Sequence, residues 1–311
     1  MNTNKPLLSA LAGGLLALSA MAQQDPMYTM YMWNTMAVNP GYAGSAGMMT
    51  VSALARQQWT GLQGAPSTQT FVVHTPLKDP SMGVGMSIVN DKIGPVRNTG
   101  FYGDFAYRIR TTKRARLAFG LKAGADLYQA DLTGVENRNV DDPSFSQNIS
   151  GKLRPNFGFG LYYWSKMGYV GLSTPKLLQN DLISGNSDID KFLYGRVRRH
   201  YFLIAGYVFK VSRDIKFKPS MMLKAVEGAP LSTDVTASFL FVEKFWVGAA
   251  YRYWDGFSAI LSMQITDQLR AGYAYDLTTS SLGAYTGGSH EFMVNYDLFF
   301  NKEKLRSPRY F

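Results

Sequence analysis

The chain has 311 residues, a net charge of +10, 14% aromatic side chains, three histidines and no cysteine. The lack of cysteine excludes a disulfide framework and a thiolate metal centre. The basic residues are scattered rather than blocked, which argues against nucleic acid as a partner.

The first residues, MNTNKPLLSALAGGLLALSAMA, place Lys5 before an apolar run from Leu7 to Leu18 and end in Ala20-Met21-Ala22. That layout predicts a secretory signal peptide over residues 1–22, cleaved after Ala22. The run is too short to span a membrane as a helix. No other apolar run approaches that length, so two classes stay open: a secreted all-β domain and an outer-membrane barrel.

Residues 23–45 include YMWNTMAVNPGYAGS, too aromatic for a loose linker and too broken by Asn39-Pro40-Gly41 for a helix. Beyond it, period-two alternation dominates. In LAFGLKAGADL, Leu117, Phe119, Leu121, Ala123, Ala125 and Leu127 oppose Ala118, Gly120, Lys122, Gly124 and Asp126. FWVGAAYRYW sets Phe245, Val247, Ala249, Tyr251 and Tyr253 against Gly248 and Arg252, and FSAILSMQI sets Phe257, Ala259, Leu261, Met263 and Ile265 against Ser258, Ser262 and Gln264. One face carries large aliphatic and clustered aromatic side chains, and the other mixes Gly and Ala with isolated charges. Lipid outside and a crowded, hydrated lumen inside account for both faces.

The fold class expected is therefore all-β: a transmembrane antiparallel β-barrel of about 14 strands (12–16), with a short N-terminal pre-barrel segment. Strands are expected near 47–59, 68–77, 82–90, 99–110, 115–130, 154–164, 167–173, 197–211, 214–226, 231–242, 244–254, 256–265, 268–277 and 290–300. Short even-numbered connections alternate with odd-numbered ones that include 131–153, 174–196 and 278–289, as periplasmic turns alternate with outer loops. The division expected is signal peptide 1–22, periplasmic or lumen-plugging segment 23–45, barrel 46–300 and periplasmic tail 301–311, with both termini periplasmic.

Tyr28, Tyr31, Trp33 and Tyr42 would be costly in water together, so the pre-barrel segment is expected to enter the barrel mouth as a partial plug. Asn39-Pro40-Gly41 and Gly44 would supply its turns. Asp104, Arg108, Lys122, Asp126, Arg252, Arg270, Asp276 and Asp297 are expected to face inward and to pair, because lone charges in a confined lumen are expensive. Lys216, Lys218 and Lys224 share one strand face and are expected to pair with neighbouring acids.

No catalytic, cofactor or metal site is expected. His74, His200 and His290 are scattered, and His74 and His290 sit at expected strand boundaries, where a hydrogen-bonding role on the rim fits. Gly83-Val84-Gly85 and Gly158-Phe159-Gly160 lie in alternating strands rather than in phosphate loops. Asp141-Asp142-Pro143 and the acids of 186–190 lack the full calcium-ligand pattern. Arg196, Arg198 and Arg199 in an outer loop are candidate contacts for lipopolysaccharide phosphates or acidic cargo. Lys302, Lys304, Arg306 and Arg309 in the tail are candidate contacts for a periplasmic partner.

QQDPMYTMYMWNTMAVNPGYAGS resembles the N-terminal signature of the PorP/SprF family of outer-membrane components of the type IX secretion system. The likeness continues through RQQWTGLQGAPSTQTFVVHTPL (56–77), GVGMSIVNDKIGPVRNTGFYGDFAYRI (83–109), PNFGFGLYYWSKMGYVGLSTPKLL (155–178) and RAGYAYDLTTSSLGAYTGGSHEFMVNYDL (270–298). Its signature positions here are Asn39, Pro40, Tyr42, Gly44, Arg56, Trp59, Gly64, Pro66, His74 and Pro76. The resemblance implies a non-enzymatic protein serving export or surface display. Its implied partners are a periplasmic ring that includes a lipoprotein, a peptidoglycan-binding lipoprotein and cargo bearing a type IX C-terminal sorting domain. A dedicated anchor for one surface adhesin, of the gliding type, and a passive porin are the alternative readings.

Overall fold

The computed structural model describes residues 25–134, 147–180 and 198–298. The expected signal peptide, Arg196, the tail cations Lys302, Lys304, Arg306 and Arg309, and the acids of 141–142 and 186–190 lie outside the described residues.

Alternation forces extended chain, and extended chain in lipid must close on itself because every backbone N–H and C=O needs a partner there. The strands are β1 (Met49–Gln57), β2 (Ser67–Pro76), β3 (Met82–Ile93), β4 (Val96–Arg110), β5 (Ala115–Ala130), β6 (Ile149–Ser165) and β7 (Gly168–Thr174). They continue as β8 (His200–Tyr207), β9 (Phe209–Lys210), β10 (Ile215–Val226), β11 (Ser232–Phe241), β12 (Phe245–Arg252), β13 (Gly256–Gln264), β14 (Leu269–Thr278) and β15 (Ser289–Leu298). β8 and β9 are two parts of one stave interrupted at Val208, whose N–H donates to the Met167 carbonyl. The result is a closed antiparallel barrel of 14 staves. Its seam joins the first and last strands, from Met49 opposite Leu298 to Gln57 opposite His290.

The turns 77–81, 111–114, 166–167, 211–214, 242–244 and 265–268 all lie at one end, where β1 starts and β15 finishes. The connection expected over 91–98 is instead a two-residue turn at Gly94-Pro95, because β3 and β4 pair onward to Ile93 opposite Val96. Their polar ends, Asn90-Asp91 and Arg97-Asn98, resemble loop composition but extend the hairpin beyond the apolar belt.

The outer surface carries Leu121, Leu153, Phe257, Leu261, Leu277 and Phe292, each more than half exposed. No water-soluble surface of this size carries so continuous an apolar band. Aromatic rings mark both of its borders. Tyr207, Phe209, Phe217 and Phe239 follow one another at 4.8, 6.4 and 5.0 Å between ring centres near the short turns. Tyr251–Phe257 and Tyr273–Phe292, each at 4.9 Å, lie in the half nearer the long connections.

The hydrophobic core lies in the lumen. It joins Tyr28, Met30, Tyr31, Met32, Trp33 and Val38 of the pre-barrel segment to inward side chains of the wall, among them Leu54, Met222, Leu240, Trp246, Ile260 and Met293. The expectation of inner faces made only of small and charged residues is thus corrected. On the β8–β15 side the inner face carries large apolar side chains among its charges and hydroxyls, because there it meets protein rather than water.

Candidate functional site

The segment before β1 is built from single helical turns, Tyr31–Trp33, Thr35–Val38 and Pro40–Tyr42. Asn39 separates the last two, and the missing N–H and fixed φ of Pro40 suit it to start the turn that follows. None of these turns is long enough to hold itself in water, so the wall must hold them. It does so at four places.

Arg56, Asp276 and Glu291 form the first. Arg56 Nη2 lies 2.5 Å from Asp276 Oδ2 and its Nη1 lies 2.9 Å from Glu291 Oε2. The carboxylate of Glu291 accepts the backbone N–H of Thr29 at 2.9 Å and that of Met30 at 2.7 Å. The Thr29 hydroxyl donates to Asp276 at 2.8 Å. Arg56 and Glu291 are both fully enclosed, so each charge depends on the other for compensation.

The second place lies by the short turns. Arg108 Nη1 donates to the Gly44 carbonyl, Nη2 donates to the Ala43 carbonyl at 3.1 Å, and the Gly44 N–H donates to His74 Nδ1 at 3.2 Å. Tyr42 stands edge-on to His74 at 5.2 Å and to Tyr162 at 5.4 Å. Gly44 has φ +68°, where a Cβ would also meet the Thr75 carbonyl and the Pro76 nitrogen.

The third is a seat for Asn39-Pro40-Gly41 on β5, β6 and β7. The Asn39 amide donates to the Leu161 carbonyl at 3.0 Å while its oxygen accepts the Gly41 N–H at 2.9 Å. A methyl group on inward Gly120 would strike the Pro40–Gly41 backbone, and one on Gly160 would strike the Asn39 amide. These glycines make room for a second layer of chain.

At the fourth, Asp25 accepts an ion pair from Lys176 at 3.3 Å, and Lys176 also reaches Asp126 at 3.3 Å. The Asp25 N–H donates to His200 Nε2 at 3.2 Å. Burial alone would raise the Asp25 carboxyl, but Lys176 and His200 outweigh it and hold the carboxyl below its ordinary value. Burial alone would lower the Lys176 ammonium, and Asp25 and Asp126 overcome that and hold it well above the ordinary lysine value.

These anchors trace a path. His200 opens β8 and Lys176 follows β7, so Asp25 lies at the end of the long connections, whereas Gly44 lies beside Pro76 at the end of the short turns. Residue 25 therefore does not share the end of the barrel at which β1 starts, contrary to the expectation for a segment that merely enters from there. The chain crosses from the β8 wall at Asp25 to the β15 wall at Thr29, drops to Trp33, and returns to the β5–β6 wall at Asn39. Trp33 meets Trp246 edge-on at 6.0 Å, and the Lys218 ammonium stands over both rings and over Tyr169 at 5.5–5.9 Å. Beside Asp25, the space left between segment and wall is a cavity of about 50 Å³ lined by Tyr28, Val38, Tyr102 and Lys122.

Most expected inward charges are buried in the wall. Lys122 pairs with its cross-strand neighbour Asp104 at 3.1 Å, and Arg252 with its neighbour Asp234 at 2.8 Å. Lys216 pairs with Glu243, Arg270 faces the Trp33 ring at 6.0 Å, and Asp297 accepts from Thr50 at 2.7 Å. Arg108 differs, since carbonyls of the segment take its guanidinium. His74 is corrected from a rim position to a buried one inside β2. His290 lies on the outer face, 2.7 Å from the Tyr273 hydroxyl.

Of the signature positions, Asn39, Pro40, Tyr42, Gly44, Arg56, His74 and Pro76 converge on the segment and its anchors. Trp59, Gly64 and Pro66 belong instead to the β1–β2 loop. There the Trp59 N–H donates to Ser289 Oγ at 3.1 Å and the Gly64 carbonyl accepts from Gly94 at 2.9 Å, so this loop clasps its neighbours on both sides. The Pro66 carbonyl accepts from Gln58 at 2.9 Å and closes that loop's base. Arg199 donates to the Leu177 carbonyl at 2.9 Å, and Arg198 is half-buried beside it. Sequence reasoning missed Glu291, Asp234 and Lys176. A charge inside the apolar alternation of HEFMVNY is the one signal that could have found Glu291.

A closed antiparallel barrel with an apolar outer band between aromatic borders, and with its polar and core residues inside, is an outer-membrane β-barrel. Residues 20–296 match the family described as type IX secretion system membrane protein PorP/SprF, and the chain belongs to that family. Comparison with curated proteins gives no match. Among solved structures the chain is similar to the CymD monoaromatic hydrocarbon channel, at 10% identity and TM-score 0.47, covering 85% of this chain and 92% of that one. It is similar to a Pseudomonas aeruginosa FadL homologue, at 10% identity and TM-score 0.43, covering 81% and 89%. It is also similar to the Acinetobacter baumannii outer membrane protein Omp33, at 11% identity and TM-score 0.40, covering 81% and 98%. These likenesses concern the barrel alone.

Proposed function

We propose that this chain is a non-enzymatic part of the type IX secretion machine, linking the periplasmic ring to export or surface display of cargo, with residues 25–48 plugging its barrel. The observation that carries this reading is the anchored segment in the lumen. A passive porin needs a continuous water path, and a chain tied to opposite walls by buried ion pairs and an apolar core speaks against one. The partners in this reading are the ring with its lipoprotein, a peptidoglycan-binding lipoprotein and cargo with a C-terminal sorting domain. The leader 1–22 would direct export, and the tail 301–311 would meet the ring from the periplasmic side. Arg196, Arg198 and Arg199 would meet lipopolysaccharide or cargo outside.

Gentle detergent purification of the tagged protein, with identification of what accompanies it, tests the reading. Recovery with a periplasmic lipoprotein ring supports it. Recovery with one dominant surface protein would make the chain that protein's dedicated anchor, and recovery alone with steady ion conductance would make it a porin.

A further inference from the structure

The inner faces of β4 and β5 end on positive charge at the short-turn mouth of the barrel. The alternation that points Asp104 and Arg108 into the lumen also points Arg110 inward, and what holds for Lys122 holds for Arg116. Arg110 and Arg116 are direct cross-strand partners, and Trp164 of β6 is the next residue in the same row. Further round the mouth Lys210 stands opposite Lys216. Lys113 and Arg114 lie in the β4–β5 turn and Lys166 in the β6–β7 turn. Like charges placed directly opposite in a ladder are destabilising. Arg116 also repels the charge of Arg108, and Lys166 and Lys210 repel that of Lys216.

Deeper in the lumen Arg56, Lys122, Lys176 and Arg252 each have a carboxylate within 3.3 Å. At the mouth Lys216 has Glu243, but Arg110, Lys113, Arg114, Arg116, Lys166 and Lys210 form no ion pair with a described residue. Residues 301–311, which come after β15 in sequence, bring Lys302, Lys304, Arg306 and Arg309 against the single acid Glu303, so they cannot supply the missing charge. Compensation has to come from another molecule.

Arg110, Lys113, Arg114, Arg116 and Lys166 line one cleft of about 850 Å³ at this mouth. Trp164 and Met167 line it too, and both pack against the luminal core, so the cleft has basic walls and an apolar inner side. Its inward-facing arginines look onto the mouth rather than onto lipid, which favours a polypeptide over a membrane phosphate. Arginine clusters recognise acidic motifs by paired donors to carboxylates.

We propose that this cleft at the periplasmic mouth docks an acidic segment of a periplasmic protein, with carboxylates on Arg110, Arg114 and Arg116 and an apolar side chain on Trp164. The proposal takes from the secretion reading only that a periplasmic partner exists, and it adds the chemistry of the contact. The docked segment would cover the periplasmic face of the luminal core.

The test uses the full mature protein purified in detergent, with binding read by fluorescence anisotropy of a short labelled peptide of glutamates around a central leucine. A peptide with glutamine for every glutamate is the control. The glutamate peptide is expected to bind and the glutamine peptide to stay free. Lys113→Gln with Arg114→Gln, both in a surface turn, is expected to weaken binding about 10-fold while thermal unfolding stays unchanged. Salt at about 1 M is expected to abolish binding. A photocrosslinker installed at Thr112 in the intact envelope is expected to capture a periplasmic protein through an acidic stretch. Equal binding of the two peptides, binding unchanged in the double variant or in salt, or capture of phospholipid alone would each overturn the proposal. A periplasmic ring recovered in full with the double variant, without peptide binding, would overturn this proposal and leave the secretion reading standing. Peptide binding by these rules with no ring recovered would do the reverse.

Discussion

Arg56 and Glu291 stand 235 residues apart in sequence and 2.9 Å apart in the barrel. They are cross-strand partners on the seam between β1 and β15. The same Glu291 carboxylate takes the N–H groups of Thr29 and Met30, so closure of the barrel and docking of its internal segment share one residue. The segment cannot acquire this anchor until the last strand has met the first.

Replacing Arg56 with Met would leave Asp276 and Glu291 enclosed without their cation. Breaking a buried pair in this way typically costs about 3–5 kcal/mol. Thermal unfolding in detergent should fall accordingly, and planar-bilayer recordings should pass from closed to stepwise conductance as residues 29–30 come loose. Unchanged unfolding and a steadily closed barrel would show that this node does not hold the segment.

The same methyl group should have opposite consequences at two glycines. Gly120→Ala drives a Cβ into the Pro40–Gly41 backbone, whereas at Gly103 the nearest atom is the Ala123 carbonyl oxygen at 3.9 Å. Overpacking of this kind costs about 1–3 kcal/mol. Hydrogen exchange of the amides over 39–44 should accelerate in the first variant and not in the second.

The Asp25 anchor has a defined pH window. A carboxyl held below its ordinary value contributes stability that is present above the unfolded pKa near 3.8 and is lost as pH falls through the lower folded value. A lysine held above its ordinary value contributes below about 10.5 and loses that contribution as pH rises through the higher folded value. Lys176, His200 and Lys224 are the charged groups that act on Asp25. Protease access to residues 25–30 should therefore stay constant across neutral pH and increase only below about pH 4. Asp25→Asn should be more accessible throughout and lack the acid step.

Trp33→Ala should remove the ring that Lys218 and Trp246 share. Truncating a buried Trp costs about 3–5 kcal/mol. Denaturant unfolding monitored by near-ultraviolet dichroism should show both that loss and a weakened aromatic signal in the folded state. Trp33→Phe should recover most of the stability, and failure to do so would assign the effect to the indole's particular shape.

Alternation made the barrel legible, because a two-residue period can only mean extended chain with two unlike faces. The charges at Asp104, Lys122, Arg252 and Asp276 were legible for the same reason. Leu54, Leu240, Trp246, Ile260 and Met293 were not. A wall residue that packs on protein inside is as apolar as one that meets lipid outside, and period alone does not tell the two solvents apart. Stretches apolar on both faces, such as SFLF at 238–241, were the trace of it.

The sequence by itself determined the barrel, a stave number of about 14, the inward side of the charges in its alternating runs and the need of Tyr28, Tyr31, Trp33 and Tyr42 for cover. Those properties follow from local period and from side-chain transfer energies, which a linear chain already contains. Only the tertiary structure decided that Asp25 lies near the long connections, that Glu291 rather than a local acid caps Thr29 and Met30, and that Gly120 and Gly160 are a seat for Asn39-Pro40-Gly41. Such relationships join residues some 80 to more than 260 positions apart, and they exist only once the sheet has closed and its inner surface has a shape.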